Sequence, residues 1–488
     1  MELVNFAAHI TPLVLFLLVF VWMAFVMTSY TLQPDGTIVE TSLAGFSWAD
    51  KSDLVFNWHP VLMAFGFLFC CSQAILVFVT KPFSHATNKL IHIACHSVSI
   101  LSVMVGTIAI FRFHNEHGFH NLHSVHSWVG LTTLVLFGAQ YTFGIVVYWF
   151  PGAPVPFRKQ SMPYHIAVGL GAMGLITITF VSGILEQLSF NASCDVTGTF
   201  HGSITAVSIA ILFLALLLVV YVSKHPVDLA ILQSCSNMVM GSVMRTCSYV
   251  LPFVVVVLVL VWMGSTLMSY TVNSDDTVEY KSLAGFSWAP NDGRVFNWHP
   301  VLMTFGLLFC SSQAILVFVT KPYSHHINKR IHVVCHTLAI LSVIVGLVAV
   351  IRFHNEHDIK NIYSLHSWIG LFTLLLVVGQ YALGFLSFFY PGVQVRLRMM
   401  LVPYHIGLGV GIVALVGITA VAGVMEKLMF NRSCNLHGTL DGMKVKGFQS
   451  WDCLLGNTIG LLIVAAVAAL VTSIYLSKHT PSDAMKRS

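Results

Sequence analysis

Eight histidines stand near the ends of long apolar stretches, and they form two sets of four with the same spacing. They are His59, His92, His126 and His165, followed by His299, His332, His366 and His405. Two imidazoles that face each other at one depth in a helical bundle can hold a haem iron from both sides. Such an iron has no open position for a substrate, so its chemistry is limited to accepting and donating electrons.

The histidines recur because the chain contains an internal duplication. Three segments return after 240 residues: FNWHPVLM at 56 and 296, HSWVG or HSWIG at 126 and 366, and PYHIAVG or PYHIGLG at 163 and 403. No insertion or deletion separates these segments. A duplication has to be recognised before a fold is assigned, because each copy is then a structural unit.

The composition places both copies in a membrane. Of the 488 residues, 56% are hydrophobic and 9% are charged, whereas soluble domains carry about 25% charged residues. We predict an all-α membrane protein in which twelve transmembrane helices form two parallel six-helix bundles. The first copy is predicted at 1–223 and the second at 248–488, with a cytoplasmic linker at 224–247. Lipid is the expected surrounding, and no nucleic-acid partner is expected.

Each predicted span is an apolar run of roughly 20 residues, which is enough to cross a bilayer core of about 30 Å. In copy one the spans lie near 10–31, 58–79, 91–112, 126–149, 163–186 and 203–222. In copy two they lie near 248–271, 298–319, 331–352, 366–389, 403–426 and 456–477.

The loop charges predict the orientation of the chain. Lys and Arg outnumber Asp and Glu in the loops on the N-terminal side, and this excess marks the cytoplasmic face. Both termini are therefore expected in the cytoplasm, at the plasma membrane or an endomembrane vesicle. The glycosylation sequons at Asn191 and Asn431 then lie on the outer face, where a glycan can be added.

This topology sorts the histidines into two layers. In copy one, His59 and His126 open spans that begin on the outer face, whereas His92 and His165 open spans that begin on the cytoplasmic face. Copy two sorts in the same way. Lys81, near the far end of the span that His59 opens, lies 22 residues further on, or about 33 Å at roughly 1.5 Å per residue. The two layers therefore lie towards opposite faces of the membrane.

The order of the four histidines, with the contexts NWHP, SLHSW (SVHSW in copy one) and PYH, resembles the cytochrome b561 family of ascorbate-reducible transmembrane cytochromes. The resemblance covers nearly the whole chain, twice over. It implies an ascorbate-dependent transmembrane oxidoreductase with two b-type haems per copy and four per chain. Electrons would pass from cytoplasmic ascorbate to an outer acceptor, either monodehydroascorbate or a ferric or cupric ion. Family members resemble dimers of one six-helix unit, so the fused copies are expected to form an intramolecular pseudo-dimer.

Carried over residue by residue, the resemblance pairs His59 with His126 at the outer haem and His92 with His165 at the inner haem. In copy two it pairs His299 with His366 and His332 with His405. His96 and His336 lie one helical turn deeper than an inner ligand. A zinc pair is the alternative for them, but we expect both to pack or hydrogen-bond near the haem.

An anionic donor needs a basic landing site beside the inner haem, and the family has basic residues in the corresponding two loops. The candidates are Lys81, Lys89, Arg158 and Lys159 in copy one, and Lys321, Lys329, Arg330, Arg396 and Arg398 in copy two. The alternative is that these charges only set the topology. Lys89, Lys329, Arg158 and Arg398 are favoured because they stand near the predicted ligands.

On the outer face, copy one carries a histidine-rich tract that copy two does not keep in full. Its members are His114, His117, His120 and His123. Histidine-rich tracts can bind metals, so the tract is a candidate site for a metal-ion substrate; the alternative is a solvated loop. In copy two, Lys360 and Tyr363 replace His120 and His123. We also predict a disulfide between Cys434 and Cys453 in the last outer loop, which leaves Cys194 unpaired.

A different class of protein competes with this interpretation. A twelve-span secondary transporter can be built from parallel repeats and can use histidines as a proton relay. Such carriers usually place their site at the bilayer midplane, whereas the histidines of this chain avoid the midplane. A purely structural membrane protein would leave the matched pairs of histidines unexplained.

Overall fold

In a computed structural model, the described residues are 2–33, 37–191, 240–273, 275–390, 393–434 and 436–477. The predicted sixth span of copy one at 203–222, Cys194 and the linker up to residue 239 lie outside them. The described residues form two compact units. One contains residues up to 158 together with 168–191, and the other contains 159–167 together with the residues from 240 onward.

The described chain is mainly helical. Its α-helices are Glu2–Val21, Trp58–Met63, Cys71–Thr80, His85–His117, Val125–Gly144, Val155–Phe190, Met240–Val261, Trp298–Met303, Ser311–Thr320, His325–Glu356, Leu365–Gly384, Val395–Phe430 and Trp451–Ser477. Several continue through π-helical segments, at Trp22–Val26, Ala64–Cys70, Ile145–Trp149, Trp262–Thr266, Thr304–Cys310 and Phe385–Phe389. Short 3₁₀ turns at Asp53–Val55 and Gly293–Asn297 precede the second span of each copy.

Within the described residues, eleven helical segments are long and apolar enough to cross a membrane. They agree with eleven of the twelve predicted spans, and the remaining prediction falls at 203–222. The helix ends differ from the prediction. His92 lies seven residues inside the helix His85–His117, and His165 lies ten residues inside Val155–Phe190. The helix Met240–Val261 likewise begins within the stretch predicted as linker. Polar and charged residues extend these helices beyond their apolar centres, so hydropathy alone underestimates their length.

Three antiparallel β-hairpins correct the prediction of an all-α chain. Thr28–Leu32 pairs with Ile38–Ser42, Met268–Val272 with Val278–Ser282, and Leu436–Leu440 with Met443–Phe448. The first two share a register, because Thr28 opposes Ser42 and Met268 opposes Ser282. These strands are five or six residues long and contain Thr, Val, Tyr and Ile, which favour strands. Their short length and polar setting concealed them in a search for apolar runs.

The first hairpin of each copy is tied to the start of the next span by a buried asparagine. The Asn57 amide donates to the carbonyls of Leu43 (2.7 Å) and Gly45 (2.7 Å), and its side chain is 1% exposed. In copy two, Asn297 donates to Leu283 (2.9 Å) and Gly285 (2.7 Å). A buried amide must be hydrogen-bonded to offset its desolvation. The asparagine of the NWHP motif therefore fixes the outer loop against the helix that carries the histidine.

Glycines bring the second and third spans of each copy into close contact. A Cβ added at Gly66 would lie 2.8 Å from Val103 Cγ2 and 3.0 Å from the Ser99 carbonyl oxygen. At Gly306, a Cβ would lie 2.8 Å from the Ala339 carbonyl oxygen. Both glycines lie within the π-helical segments of the second span. The missing side chains let the histidine-bearing helices approach closely.

The predicted disulfide is present between Cys434 and Cys453, with a Cα–Cα distance of 5.2 Å. It joins the end of Val395–Phe430, through the third hairpin, to the helix Trp451–Ser477. This confirms the proposed pairing in the last loop of copy two.

The predicted glycosylation sites have little room for a glycan. The exposed fraction of Asn191 is 5% and that of Asn431 is 3%. The Asn191 amide oxygen accepts from Gln187 Nε2 (3.0 Å), and the backbone oxygens of the two asparagines accept from Tyr30 and Tyr270. The sequence patterns are intact, but both asparagines are buried and their backbone oxygens are hydrogen-bonded to the hairpins.

We therefore expect neither sequon to carry a glycan in the folded protein. The measurement is the change in apparent mass on treatment with an N-glycosidase. Gly293→Ser is the control, because it creates a new sequon at Asn291, an exposed residue in the same outer loops. A glycan on the control chain, with none on the parent, would match the expectation. A mass change that disappears from the parent with Asn191→Gln or Asn431→Gln would contradict it.

Candidate functional site

The outer histidines of each copy face each other across a gap. The ring centroids of His59 and His126 lie 6.2 Å apart, with the ring planes 87° apart. In copy two, the rings of His299 and His366 also lie 6.2 Å apart, at 90°. Residues more than sixty positions apart in sequence are thus placed in the same way twice.

Each outer histidine is oriented by a backbone carbonyl. His59 Nδ1 donates to the Gly106 carbonyl (3.0 Å), and His126 Nδ1 donates to the Thr179 carbonyl (2.9 Å). Copy two repeats these bonds from His299 to Gly346 (3.1 Å) and from His366 to Thr419 (3.0 Å). A carbonyl can only accept, so Nδ1 carries the proton and the lone pair of Nε2 is available to a metal. Metal-ligating histidines are usually held in this way.

The inner histidines are held by the same device. His332 Nδ1 donates to the Ala314 carbonyl (2.7 Å), and His92 Nδ1 donates to the Ala74 carbonyl (2.8 Å). The centroids of His332 and His405 lie 6.3 Å apart, with the ring planes 61° apart. The structure thus brings the inner pair of copy two together. His165 lies half-buried in Val155–Phe190, and its pairing with His92 stays a prediction.

These separations fit a haem iron with two axial imidazoles. A metal–imidazole bond is about 2.0–2.1 Å and the ring centre lies about 1.1 Å behind the nitrogen, so opposed ligands have centroids about 6.3 Å apart. Imidazoles packed directly against each other would be closer, as in the pair His332–His336 at 4.6 Å. The gap between the paired rings is therefore of the size that one metal ion needs.

The outer pair of copy one opens into a cavity. Ligand pockets are mostly apolar, and the lining of this cavity is mainly aliphatic and aromatic. His59 and His126 share the cavity with Phe67, Leu134 and Phe180. A flat, apolar macrocycle with polar substituents at its edge suits such a space.

Two glycines leave room for the outer imidazoles. A Cβ at Gly183 would lie 2.7 Å from His126 Cε1, and one at Gly423 would lie 2.8 Å from His366 Cε1. Real Cβ atoms do not approach another atom so closely. Each glycine must therefore be retained for its own histidine to keep this position. Sequence analysis did not identify these glycines, although they recur with the 240-residue offset.

His96 and His336 are packed against the inner ligands. The His92 and His96 centroids lie 4.5 Å apart, and those of His332 and His336 lie 4.6 Å apart. His96 Nδ1 also lies 3.8 Å from Cys71 Sγ. This agrees with the expectation that both histidines pack beside the haem site.

The histidines of the outer tract lie in different surroundings and contact different residues. His117 Nε2 lies 3.1 Å from Asp53 Oδ1, whereas His123 Nε2 lies 3.5 Å from Glu186 Oε1. His114 lines the cavity, 6.0 Å from His123 between ring centroids, and His120 is exposed. Among the described residues, no group of three or more His, Cys, Asp or Glu is placed to hold a metal ion. The four histidines therefore do not converge on a single metal site.

Two of the basic residues near the inner histidines of copy two, Lys329 and Arg398, are partly buried. Lys329 Nζ lies over the Phe389 ring (5.7 Å) and interacts electrostatically with Arg398. Arg398 Nη2 donates to the Val393 carbonyl (3.0 Å), and its buried Nε has no hydrogen-bond partner among the described residues. In copy one, Lys89 Nζ lies over the Trp149 ring (5.5 Å) and Arg158 is half-buried.

The other predicted basic residues differ from Lys329 and Arg398 in their exposure to solvent. They are exposed side chains, namely Lys81, Lys159, Lys321, Arg330 and Arg396. Lys81 and Lys321 take a left-handed backbone conformation, with φ of 49° and 48°, where each ends the second span. These residues fit a general basic surface better than a shaped site.

We expect Gly183→Ala to displace His126 and to lower the haem content of copy one. The reason is the 2.7 Å contact between the new Cβ and His126 Cε1. Gly174→Ala, in the same helix, is the matched control because nothing lies within 4 Å of its Cβ. The measurement is the pyridine-haemochrome ratio of haem to protein. Equal ratios in the two variants would show that Gly183 does not protect the site.

Comparison with known proteins supports the same assignment. The sequence model of eukaryotic cytochrome b561 matches residues 58–191 and again 298–431, together more than half of the chain. Members of this family bind haem b.

The chain is also similar to several named proteins. It is 34% identical over 215 residues to "Transmembrane ascorbate ferrireductase 2" of Arabidopsis thaliana, covering 44% of this chain and 83% of that protein. It is 37% identical over 190 residues to a lysosomal membrane ascorbate-dependent ferrireductase of Mus musculus, covering 37% and 73%. A probable ascorbate-specific transmembrane electron transporter of Oryza sativa is 39% identical over 143 residues, covering 29% and 61%. Because the family model matches both repeats, the chain belongs to the cytochrome b561 family, whose matched region it carries in tandem duplicate.

Proposed function

We propose that this chain is an ascorbate-dependent transmembrane oxidoreductase that moves electrons from cytoplasmic ascorbate to an acceptor on the outer face. The observation that carries the proposal is the repeated pair of imidazoles, 6.2 Å apart and each fixed through Nδ1. The names of the relatives from Arabidopsis thaliana and Mus musculus, both ascorbate ferrireductases, support the donor and the reaction class.

In this proposal each chain holds four b haems, two in each copy. The outer haems take His59 with His126 and His299 with His366, and the inner haems take His92 with His165 and His332 with His405. When bound, a haem with two imidazole ligands supplies one-electron transfer without an open coordination position. The protein's part is to orient the imidazoles, to exclude water and to set the spacing of the layers.

The second span of copy two sets that spacing. His299 stands at its outer end, and Ala314, which anchors the inner ligand His332, lies fifteen residues further along. At roughly 1.5 Å per residue this places the two anchor points about 22 Å apart. Haems held at these two levels would shorten the distance that an electron must cross.

The donor site proposed for copy two is formed by Lys329 and Arg398. Two cations held close together repel each other, and an anion between them removes that cost. The unpaired Arg398 Nε offers a further donor. Lys89 and Arg158 are the corresponding residues of copy one, and the exposed Lys81, Lys159, Lys321 and Arg330 complete a basic surface that attracts an anionic donor.

The proposed orientation places both termini in the cytoplasm, with twelve spans including one at 203–222. The disulfide Cys434–Cys453 lies in an outer loop in this orientation, which agrees with an oxidising compartment. The acceptor is monodehydroascorbate or a ferric or cupric ion, received near the mouth of the outer cavity. We further propose that the fused copies form an intramolecular pseudo-dimer in a plasma or endomembrane bilayer.

A secondary transporter with a histidine proton relay is less well supported. A relay needs histidines that exchange protons with each other, whereas six of the eight histidines have Nδ1 fixed by a backbone carbonyl. A visible spectrum of the purified protein separates the two classes. Haem bands that sharpen when ascorbate is added support the electron carrier, and a colourless protein excludes it.

We expect four haems per chain by the pyridine-haemochrome assay. His299→Ala removes one ligand of the outer pair in copy two and is expected to lower the count by one. His326→Ala is the control, since this exposed histidine is not among the proposed ligands. Two haems in the parent chain would mean that one copy does not bind the cofactor.

We expect Lys329→Ala and Arg398→Ala to raise the ascorbate concentration for half-maximal reduction by copy two, each by about tenfold. This is about what the loss of one charge-assisted hydrogen bond costs. The assay follows haem reduction in a chain whose copy one is disabled by His59→Ala and His92→Ala. Lys281→Ala, on an outer hairpin, is the matched control. An unchanged concentration dependence in both variants would remove this pair from the donor site.

A further inference from the structure

The outer part of copy two contains a lysine in an apolar setting that the proposed reaction does not use. Lys427 lies near the end of Val395–Phe430, and its ammonium stands 4.3 Å from the centre of the Phe296 ring. A cation over the face of an aromatic ring is attracted by the electron-rich face. The half-buried lysine is therefore held on one side of Phe296.

Phe296 connects this charge to the outer ligand. The centroid of its ring is 6.1 Å from that of His299. The Lys427 ammonium consequently lies no further from the His299 ring than the sum of these two distances. The charge is therefore close to the proposed outer haem.

Copy one has a neutral residue at the equivalent position. Gln187 stands 240 residues before Lys427, and it lines the same cavity as His59, His126 and Phe56, the equivalent of Phe296. The amide of Gln187 donates to Asn191 (3.0 Å). The two copies thus share the ligands and the aromatic ring but differ by one positive charge beside them.

An acidic residue specific to copy two lies near Lys427. Asp452 is 1% exposed and accepts from Trp262 Nε1 (3.0 Å) and from the Met268 amide (2.7 Å). It interacts electrostatically with Lys427, but no ion pair within 4 Å joins them among the described residues. Since Asp452 is held by its own two donors, it leaves the ammonium facing the aromatic ring. Copy one has no Asp or Glu between residues 196 and 227 of its sequence.

We propose that Lys427 makes the outer haem of copy two a stronger electron acceptor than the outer haem of copy one. The proposal rests on the haem assignment made above. Gain of one electron lowers the charge of a haem centre by one, and a nearby cation favours the reduced form. Net charge and burial are established determinants of haem potential, and a low-dielectric surrounding strengthens the effect. Lys427 acts through the electrostatic field and is not itself a ligand.

The experiment is a potentiometric titration of the full chain, followed by visible and electron-paramagnetic-resonance spectra. The background carries His59→Ala and His126→Ala, so that copy two supplies the outer-haem signal. Lys427→Gln, which introduces the residue of copy one, is expected to shift the midpoint potential of that signal downward. Lys427→Arg retains the charge and is expected to keep the parent potential. Lys444→Gln, an exposed lysine on the third hairpin, is the control.

Two further variants are expected to shift the midpoint potential upward. Asp452→Asn removes a negative charge beside Lys427 and is expected to raise the potential. In the reciprocal background, with His299→Ala and His366→Ala, Gln187→Lys is expected to raise the potential of the outer haem of copy one. A purely structural role of Lys427 would not produce this pattern of signs.

The outcomes separate this inference from the proposed function. The inference is wrong if the Lys427→Gln and Lys444→Gln chains have the same midpoint potential. It is also wrong if Lys427→Arg lowers the midpoint potential as much as Lys427→Gln does. In both cases the haems would still be present. If the parent chain binds no haem, the proposed function itself fails. If Asp452→Asn does not fold, the Lys427 and Gln187 variants still decide the question.

Discussion

The hydrogen bond from a histidine Nδ1 to a backbone carbonyl of a neighbouring helix is the interaction on which the site depends. It fixes the tautomer, aims Nε2 into the gap and requires the helices to lie at a particular depth and distance. The other features follow from this requirement. Gly66 and Gly306 let the helices approach, Gly183 and Gly423 leave room for the imidazole rings, and the π-helical segments adjust the second span between its two layers. Because the acceptor belongs to the backbone, no single side-chain substitution can remove it.

The two copies place the same arrangement of paired imidazoles in different surroundings. The paired rings have nearly the same separation in both outer sites, whereas the residues around them diverge on the outer face. Copy one places His123 beside Glu186, and copy two has Tyr363 and the cation Lys427 in the corresponding region. The ligands therefore define what the copies have in common, and the outer residues define how they differ.

The repeat, eleven of the spans, three of the facing histidine pairs and the pairing of Cys434 with Cys453 could all be predicted from the sequence. The first three depend on local hydropathy or on a pattern that recurs at a fixed offset, and the disulfide on two cysteines predicted in one loop. The hairpins were missed because their strands are short and lie in polar loops. The roles of Asn57 and Gly183 could not be predicted either, because their partners, Leu43 and His126, are distant positions whose proximity depends on the completed fold. The division of the outer histidine tract has the same origin, since His117 and His123 find carboxylates on different segments.

The π-helical segments Ala64–Cys70 and Thr304–Cys310 limit which insertions and deletions the protein can tolerate. They lie between the outer ligand of the second span and the carbonyl that anchors the inner ligand. Each residue of a helix turns the chain by about 100°, so deletion of one residue here would rotate Ala74 or Ala314 away from its histidine while the outer ligand stayed in place. Substitutions in this stretch alter packing, but a change in its length would uncouple the two layers. The length of this stretch is thus more strictly constrained than its residue identity, which agrees with the 240-residue offset that the two copies keep without interruption from Phe56 to Cys194.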